Sequence, residues 1–286
     1  MKQLRIALLV FFLATAAVFS YVYIQRRFTA DRTAPYITAD TDYITATISA
    51  TDEDLLVGMK AFDDRDGDVT DRLVVVSKSK FISKGTVHVR YAAFDSNRNV
   101  GLYTRELTYV DYVSPRFHLY SPLRFASGAS GYDCLDYVTA EDCLDGNITQ
   151  QIKISFGKTT TVDGETTTQT VNLQVTNRSG DTSTLELPLT KEDFVTYSRL
   201  CPALKEYVVY VPKGGRIDLR SYLSGIWSAG KVRGFDDSDF DPYHDITIVS
   251  TGLDLNKAGV YTVTYKLARS TGEQLGSTDL IVIVED

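Results

Sequence analysis

Asp66-Gly67-Asp68-Val69-Thr70, followed by Gly85-Thr86-Val87-His88-Val89-Arg90-Tyr91, is the stretch that decides the fold. An acidic turn leads into one strand, and a second strand with strictly alternating side chains follows it. The arrangement returns at Asp145-Gly146-Asn147-Ile148-Thr149 with Thr170-Val171-Asn172-Leu173-Gln174-Val175. It comes a third time at His244-Asp245-Ile246-Thr247 with Gly259-Val260-Tyr261-Thr262-Val263-Thr264-Tyr265. Internal repetition with period-two alternation indicates an array of small β domains, not one large core.

Working outward, each alternating strand ends in a polar turn: Asp95 to Asn99, Asn177 to Asp181, and Arg269 to Glu273. Such residues tolerate left-handed backbone or make Asx turns. The repeats divide the chain into a linker at 28–35 and domains at 36–112, 113–191 and 192–286. Each has room for about seven short strands, the spacing of an immunoglobulin-like β-sandwich. The expected fold is therefore all-β: three tandem sandwiches after an N-terminal helix. Within domain two, Leu135 to Ala140 and Ile148 to Ser155 read as continuous strands, and Asp163-Gly164 as a hairpin signal. In domain three, Leu219 to Ile226 reads as a helical turn or short insertion.

Residues 1–27 read as a cytoplasmic tip and a signal-anchor transmembrane helix. Lys2 and Arg5 precede Ile6 to Ile24, a run without charge. As a helix that run spans roughly 28 Å, the hydrocarbon thickness of a bilayer. Cleavage after Ala14-Thr15-Ala16 is the alternative, but the apolar run continues well past it. The expected location is the cell membrane, single-pass, with the C-terminal domains extracellular.

Net charge is −7. Removing the four cations of residues 1–27 leaves 26 basic against 37 acidic residues, a net of −11. That surface repels phosphate backbones and argues against nucleic acid as a partner. The expected partners are the membrane, through the helix, and a protein or glycan on the cell surface, bound by a monomer. Cys134, Cys143 and Cys201 are expected to remain separate thiols, because a strand between the first two would hold them too far apart for a bridge.

The quoted motifs resemble the bacterial immunoglobulin-like repeats of Gram-positive surface proteins and some pesticidal crystal toxins. The resemblance rests on Asp63-Asp64-Arg65-Asp66-Gly67-Asp68-Val69-Thr70, on Tyr91 to Asn99, and on Leu253 to Tyr265. Domain two lacks the Gly-x-Tyr opening, and domain three lacks the Asp-Gly turn. The resemblance implies the sandwich fold, and associates such chains with adhesion, stalks and carbohydrate-linked surfaces.

Four carboxylates within six residues, Asp63, Asp64, Asp66 and Asp68, are calcium candidates, since calcium takes six to eight oxygens. No other cofactor is expected. The plainer reading is an Asx-rich turn whose carboxylates cap backbone N–H groups. Asp236, Asp237, Asp239, Asp241 and Asp245 form a second cluster for which solvent exposure is the simpler explanation. Trp227, in a Gly/Ser-rich segment, is the candidate sugar-stacking residue, with a packing role as its rival. His88, His118 and His244 fall in three different contexts with no nucleophile motif, so no enzyme is expected. The sequence thus points to a membrane-anchored, non-enzymatic rod of sandwiches for adhesion or display. The alternative is a carbohydrate-binding or assembly module of a cell-envelope polysaccharide system.

Overall fold

The computed structural model describes residues 2–29, 31–129, 133–162 and 166–286; the Asp163-Gly164 hairpin signal lies outside them. A helix, α1 (Lys2–Thr29), comes first, and Lys2–Gln25 is long and apolar enough to cross a membrane by length and composition. No part of that segment is buried against the rest of the protein.

Three immunoglobulin-like sandwiches with one topology follow. The first has β1 (Tyr36–Ala39), β2 (Tyr43–Ala46), β3 (Met59–Asp63), β4 (Gly67–Asp68), β5 (Leu73–Ser83), β6 (Thr86–Phe94) and β7 (Val100–Tyr109). The second has β8 (Arg116–Leu119), β9 (Arg124–Ala126), β10 (Val138–Asp142), β11 (Gly146–Asn147), β12 (Lys153–Thr161), β13 (Thr167–Thr176) and β14 (Thr182–Glu192). The third has β15 (Cys201–Leu204), β16 (Val208–Pro212), β17 (Leu223–Ser228), β18 (Lys231–Arg233), β19 (Ile246–Val249), β20 (Gly259–Ala268) and β21 (Gln274–Glu285).

Sheet orders β1-β3-β4, β8-β10-β11 and β15-β17-β18 recur on one side, and β2-β7-β6-β5, β9-β14-β13-β12 and β16-β21-β20-β19 on the other. In each case the second strand joins the opposite sheet from the first and runs parallel to the last. The alternation explains the cores. Val87, Val89, Tyr91 and Ala93 point inward from β6 and meet Ile37, Met59 and Ala61 of the facing sheet. Tyr91 and Tyr265 occupy the same inward place, and each spends its buried hydroxyl on a carbonyl, of Leu55 at 3.0 Å and of Leu219 at 2.6 Å.

Two compact units result, Met1–Tyr112 and Val113–Asp286. In the second unit the cores of both sandwiches merge into one cluster from Phe117 to Val284. Tyr207 helps join them: its N–H donates to Leu119 O at 2.8 Å, and its carbonyl accepts from Ile281 N at 2.9 Å.

Two expected strands are corrected. A 3₁₀ turn, Cys134–Asp136, precedes β10, because Asp133 caps Leu135 N at 3.0 Å and fixes a turn there. Likewise Thr149–Gln151 is a 3₁₀ turn before β12, opened by Asn147 accepting from Thr149 N at 3.0 Å. The stretch from Leu219 divides into a 3₁₀ turn (Leu219–Tyr222) and β17. Cys134 and Cys201 are buried, Cys143 is exposed, and no disulfide joins them.

Burial has a consequence at alkaline pH. The Tyr207 phenol is pushed up to about 12 from 10.0, chiefly by desolvation, although Leu204 N donates to its oxygen at 3.2 Å. A folded-state pKa above the unfolded one means full stability below pH 10 and a loss as pH climbs from 10 towards 12. We expect Tyr207 alone to withdraw roughly 2–3 kcal/mol from the second unit over that interval. Urea midpoints at pH 9 and pH 11.5 measure this, and Tyr207→Phe should reduce the difference by that amount. The remainder comes from Tyr210, which burial also pushes up to about 12, and from Tyr265, which burial raises likewise.

Candidate functional site

The acidic turn of the first sandwich resolves into separate tasks. Asp63 Oδ1 accepts from Arg65 N at 2.9 Å and Asp66 N at 3.0 Å, so this carboxylate closes the turn between β3 and β4. Gly67 supplies the positive φ of +78° that the turn requires. Asp68 caps Thr70 N at 2.9 Å, and Thr70 Oγ1 accepts from Ala61 N at 3.0 Å, which drives Val69 fully into the core. Asp66 reaches across to the next turn, taking Ser96 N at 2.6 Å, Ser96 Oγ at 2.9 Å and Arg72 Nη1 at 2.8 Å. The bonds from Ser96, foremost its hydroxyl, hold the Asp66 carboxyl below its ordinary range, with Arg72 adding to them. Asp64 is exposed.

The second sandwich repeats this wiring. Asp142 accepts from Leu144 N and Asp145 N, Asn147 from Thr149 N, and Thr149 Oγ1 from Ala140 N. The Asp-Gly-Asp-Val-Thr signature is thus a folding device that seats one apolar residue in each core.

Of the four calcium candidates, Asp63 alone belongs to the compact carboxylate group that the structure assembles. Its companions are Asp31, from the segment before β1, and Asp95, from the turn after β6, with one ligand oxygen of each lying within 4.8 Å of the others. Asp63 and Asp95 are each 5% exposed. Asp31 Oδ1 accepts from Thr33 N at 3.0 Å and Thr33 Oγ1 at 2.6 Å, and these bonds lower its pKa. Arg65 Nε stands 3.8 Å from Asp31 Oδ2. Asp95 Oδ1 accepts from Asn99 N, and Oδ2 from Asn99 Nδ2, both at 2.6 Å. Asn99 Nδ2 also donates to Asp31 O at 3.2 Å, tying the leading segment to the turn. Sequence inspection missed Asp31 and Asp95 because neither lies in the acidic run. Their signal is a comparison across repeats: Asp95 and Asn177 both open the polar turn with an N–H bond four residues on, to Asn99 O at 3.3 Å and Asp181 O at 3.0 Å.

The second acidic cluster is a solvent-exposed turn. Asp236, Asp237, Asp239 and Asp241 are exposed; Asp241 caps Tyr243 N at 2.6 Å and pairs with His244 Nδ1 at 3.1 Å, while Asp245 caps Asp241 N at 2.8 Å.

The expected sugar platform at Trp227 is corrected. Its ring is 4% exposed, edge-on to Tyr197 at 5.1 Å between centroids and beneath the Arg124 guanidinium at 5.0 Å. Glycine misled here. Gly225 marks close strand packing, since a Cβ there would lie 2.0 Å from Arg233 O.

Arg124 also lines a cavity of about 590 Å³ in the second unit, with Leu123, Thr190, Glu192, Tyr207 and Thr278 among its walls. The Arg124 Nη2–Glu192 Oε2 pair spans 2.6 Å, and Arg124 Nη1 donates to Cys201 Sγ at 3.3 Å. Burial pushes the Cys201 thiol up and outweighs the opposing hydrogen bond with Thr278 and the charge of Arg124.

The histidines remain apart. His88 faces Glu106, His118 lies between Glu141 and Glu206, and His244 rests on Asp241.

No family model and no curated protein matches the chain. Among solved structures it is similar to Drosophila N-cadherin EC1-3 at 13% identity and TM-score 0.30, over 90% of each chain. It is similar to human CDH23 EC21-23 at 16% identity and TM-score 0.20, over 88% of this chain and 100% of that one. A third similarity is to the M60 catalytic domain with CBM51 domains of Clostridium perfringens ZmpB, at 12% identity and TM-score 0.22. There the chain covers 90% of its own length and spans 31% of the other. Superposition at these scores carries no function across.

Proposed function

We propose that this chain is a membrane-anchored, non-enzymatic surface protein, monomeric, whose three sandwiches are displayed outside the cell for adhesion. One observation carries the reading: an apolar helix left unburied among the described residues precedes three sandwiches of identical topology. A helix of that composition is stable in a bilayer and costly in water. The polar residues that first suggest chemistry support the absence of an enzyme, since they cap turns and close hairpins. The histidines stand in separate carboxylate contacts, with no serine or cysteine nucleophile in those pairs.

A second reading, a carbohydrate-binding module of an envelope polysaccharide system, is favoured by the cavity beside Arg124 and Glu192. Its size suits one small ligand. A glycan array probed with the full-length chain in lipid nanodiscs separates the two. Adhesion through protein surfaces predicts no glycan above background. Reproducible capture of one glycan class, lost on Thr190→Trp, would move the assignment to the second reading.

A further inference from the structure

We propose that Asp31, Asp63 and Asp95 form a calcium site at one end of the first sandwich, sharing only Asp63 with the acidic turn beside it. Asp63 provides the key observation. It is 5% exposed, Oδ1 is occupied by the turn, and Oδ2 is buried without a hydrogen-bond partner. A buried carboxylate oxygen without a donor or cation is costly, and native proteins rarely leave one so. What surrounds it makes the matter worse, for Asp31 and Asp95 each bring another carboxylate to within 4.8 Å. Arg65 offsets only part of this. Its side chain is 54% exposed and its Nε lies 3.8 Å from Asp31 Oδ2.

The second sandwich shows how the same place is satisfied without a cation. Asp142 stands where Asp63 stands, capping the same turn, and Asn177 stands where Asp95 stands. Asn177 Nδ2 donates to Asp142 Oδ1 at 3.0 Å, and Asn177 Oδ1 accepts from Asp181 N at 2.9 Å. An amide thus bridges the two turns at this end of the sandwich, where the first sandwich has two acids. In the third, the turn opens on Arg269, whose N donates to Glu273 O at 2.9 Å, and no such acid group occurs there among the described residues. The replacement of Asn by Asp removes the bridging donor, and a cation restores the bridge.

The donors are all oxygens, which selects a hard ion. Oxygens that all lie within 4.8 Å of one another can reach one cation at about 2.4 Å, the calcium distance. Carboxylates drawn from separate turns suit calcium's flexible shell better than magnesium's demand for near-ideal octahedral geometry. Several carboxylate oxygens are shared with N–H donors, so water must complete the shell. Affinity therefore belongs in the range of extracellular modules, roughly 0.1–1 mM. Because Asp31 precedes β1, the ion would fasten the segment that follows the apolar helix onto the sandwich.

The test is scanning calorimetry of the full-length chain in detergent micelles, in chelator and in calcium up to about 10 mM. The transition of the first unit should rise saturably, by roughly 5–10 °C at tenfold excess over Kd. Asp95→Asn and Asp63→Asn should each abolish the rise. In chelator, Asp95→Asn should melt no lower than the parent, because its amide can copy Asn177. Asp236→Asn, in the exposed turn, should leave the rise intact. No saturable rise in the parent, or a rise that survives both substitutions, would overturn the site, and an equal response to magnesium would overturn its assignment to calcium.

Discussion

Gly101→Val is expected to destabilise the first unit by about 3 kcal/mol or more, and to remove its response to calcium as well. A Cβ at Gly101 would lie 1.9 Å from Pro35 O and 2.9 Å from Pro35 C, and no backbone atom can yield that far in place. Either β7 moves from its partners or the segment carrying Asp31 and Pro35 is pushed off. The second is cheaper, since residues 31–35 lie outside the regular strands. Stability and the carboxylate group should therefore fail together. Urea unfolding of the full-length chain in detergent, read with and without calcium, checks both. Gly252→Ala is the control: it has open space and no positive φ, and should fall within about 0.5 kcal/mol of the parent. Gly276 holds the matching place in the third sandwich, where a Cβ would meet Leu200 O at 2.5 Å.

The second large effect belongs to the pair beneath the cavity. Glu192→Ala leaves Arg124 in the second unit without its carboxylate, over Trp227 and beside Cys201. Both side chains are largely buried, at 18% and 11% exposure, so solvent cannot readily replace the lost partner. Breaking one side of such a pair costs about 3–5 kcal/mol, whereas an apolar pair of similar volume is often neutral. We expect Glu192→Ala to lower the urea midpoint of the second unit strongly, and Arg124→Met with Glu192→Leu to recover most of it. Additive losses in the double variant would mean that the two residues stabilise the unit independently.

How much of this is legible in sequence follows from where each constraint is local. The alternation in Val87 to Ala93 and Val260 to Leu267 exposes one inward face directly, and the polar turns announce themselves by composition. Asp66 to Thr70 was readable as a turn because its bonds close within a few residues. The 3₁₀ turns at Cys134–Asp136 and Thr149–Gln151 were not, because a single side-chain cap decides each against apolar residues that fit a strand equally well. Trp227 misled because glycine serves both loops and close backbone approach, and only the position of Arg233 tells which. The carboxylate group was half legible. Asp63 stood in the acidic run, but Asp31 and Asp95 are each 32 residues from it, brought there by the pairing of two sheets. Only the Asp-to-Asn difference between repeats carried that information in the sequence.

Display outside an anchored membrane helix is the central claim, and Cys143 offers a direct test of it. Its side chain is exposed, whereas Cys134 and Cys201 are buried at 3% and 2%. Intact cells producing the chain are treated with a membrane-impermeant maleimide, and labelling is compared with that of lysed cells. The account predicts equal labelling before and after lysis, its loss on Cys143→Ser, and retention of the labelled chain in the membrane fraction after an alkaline wash. Labelling that appears only after lysis, or a labelled chain released into the medium, would contradict it.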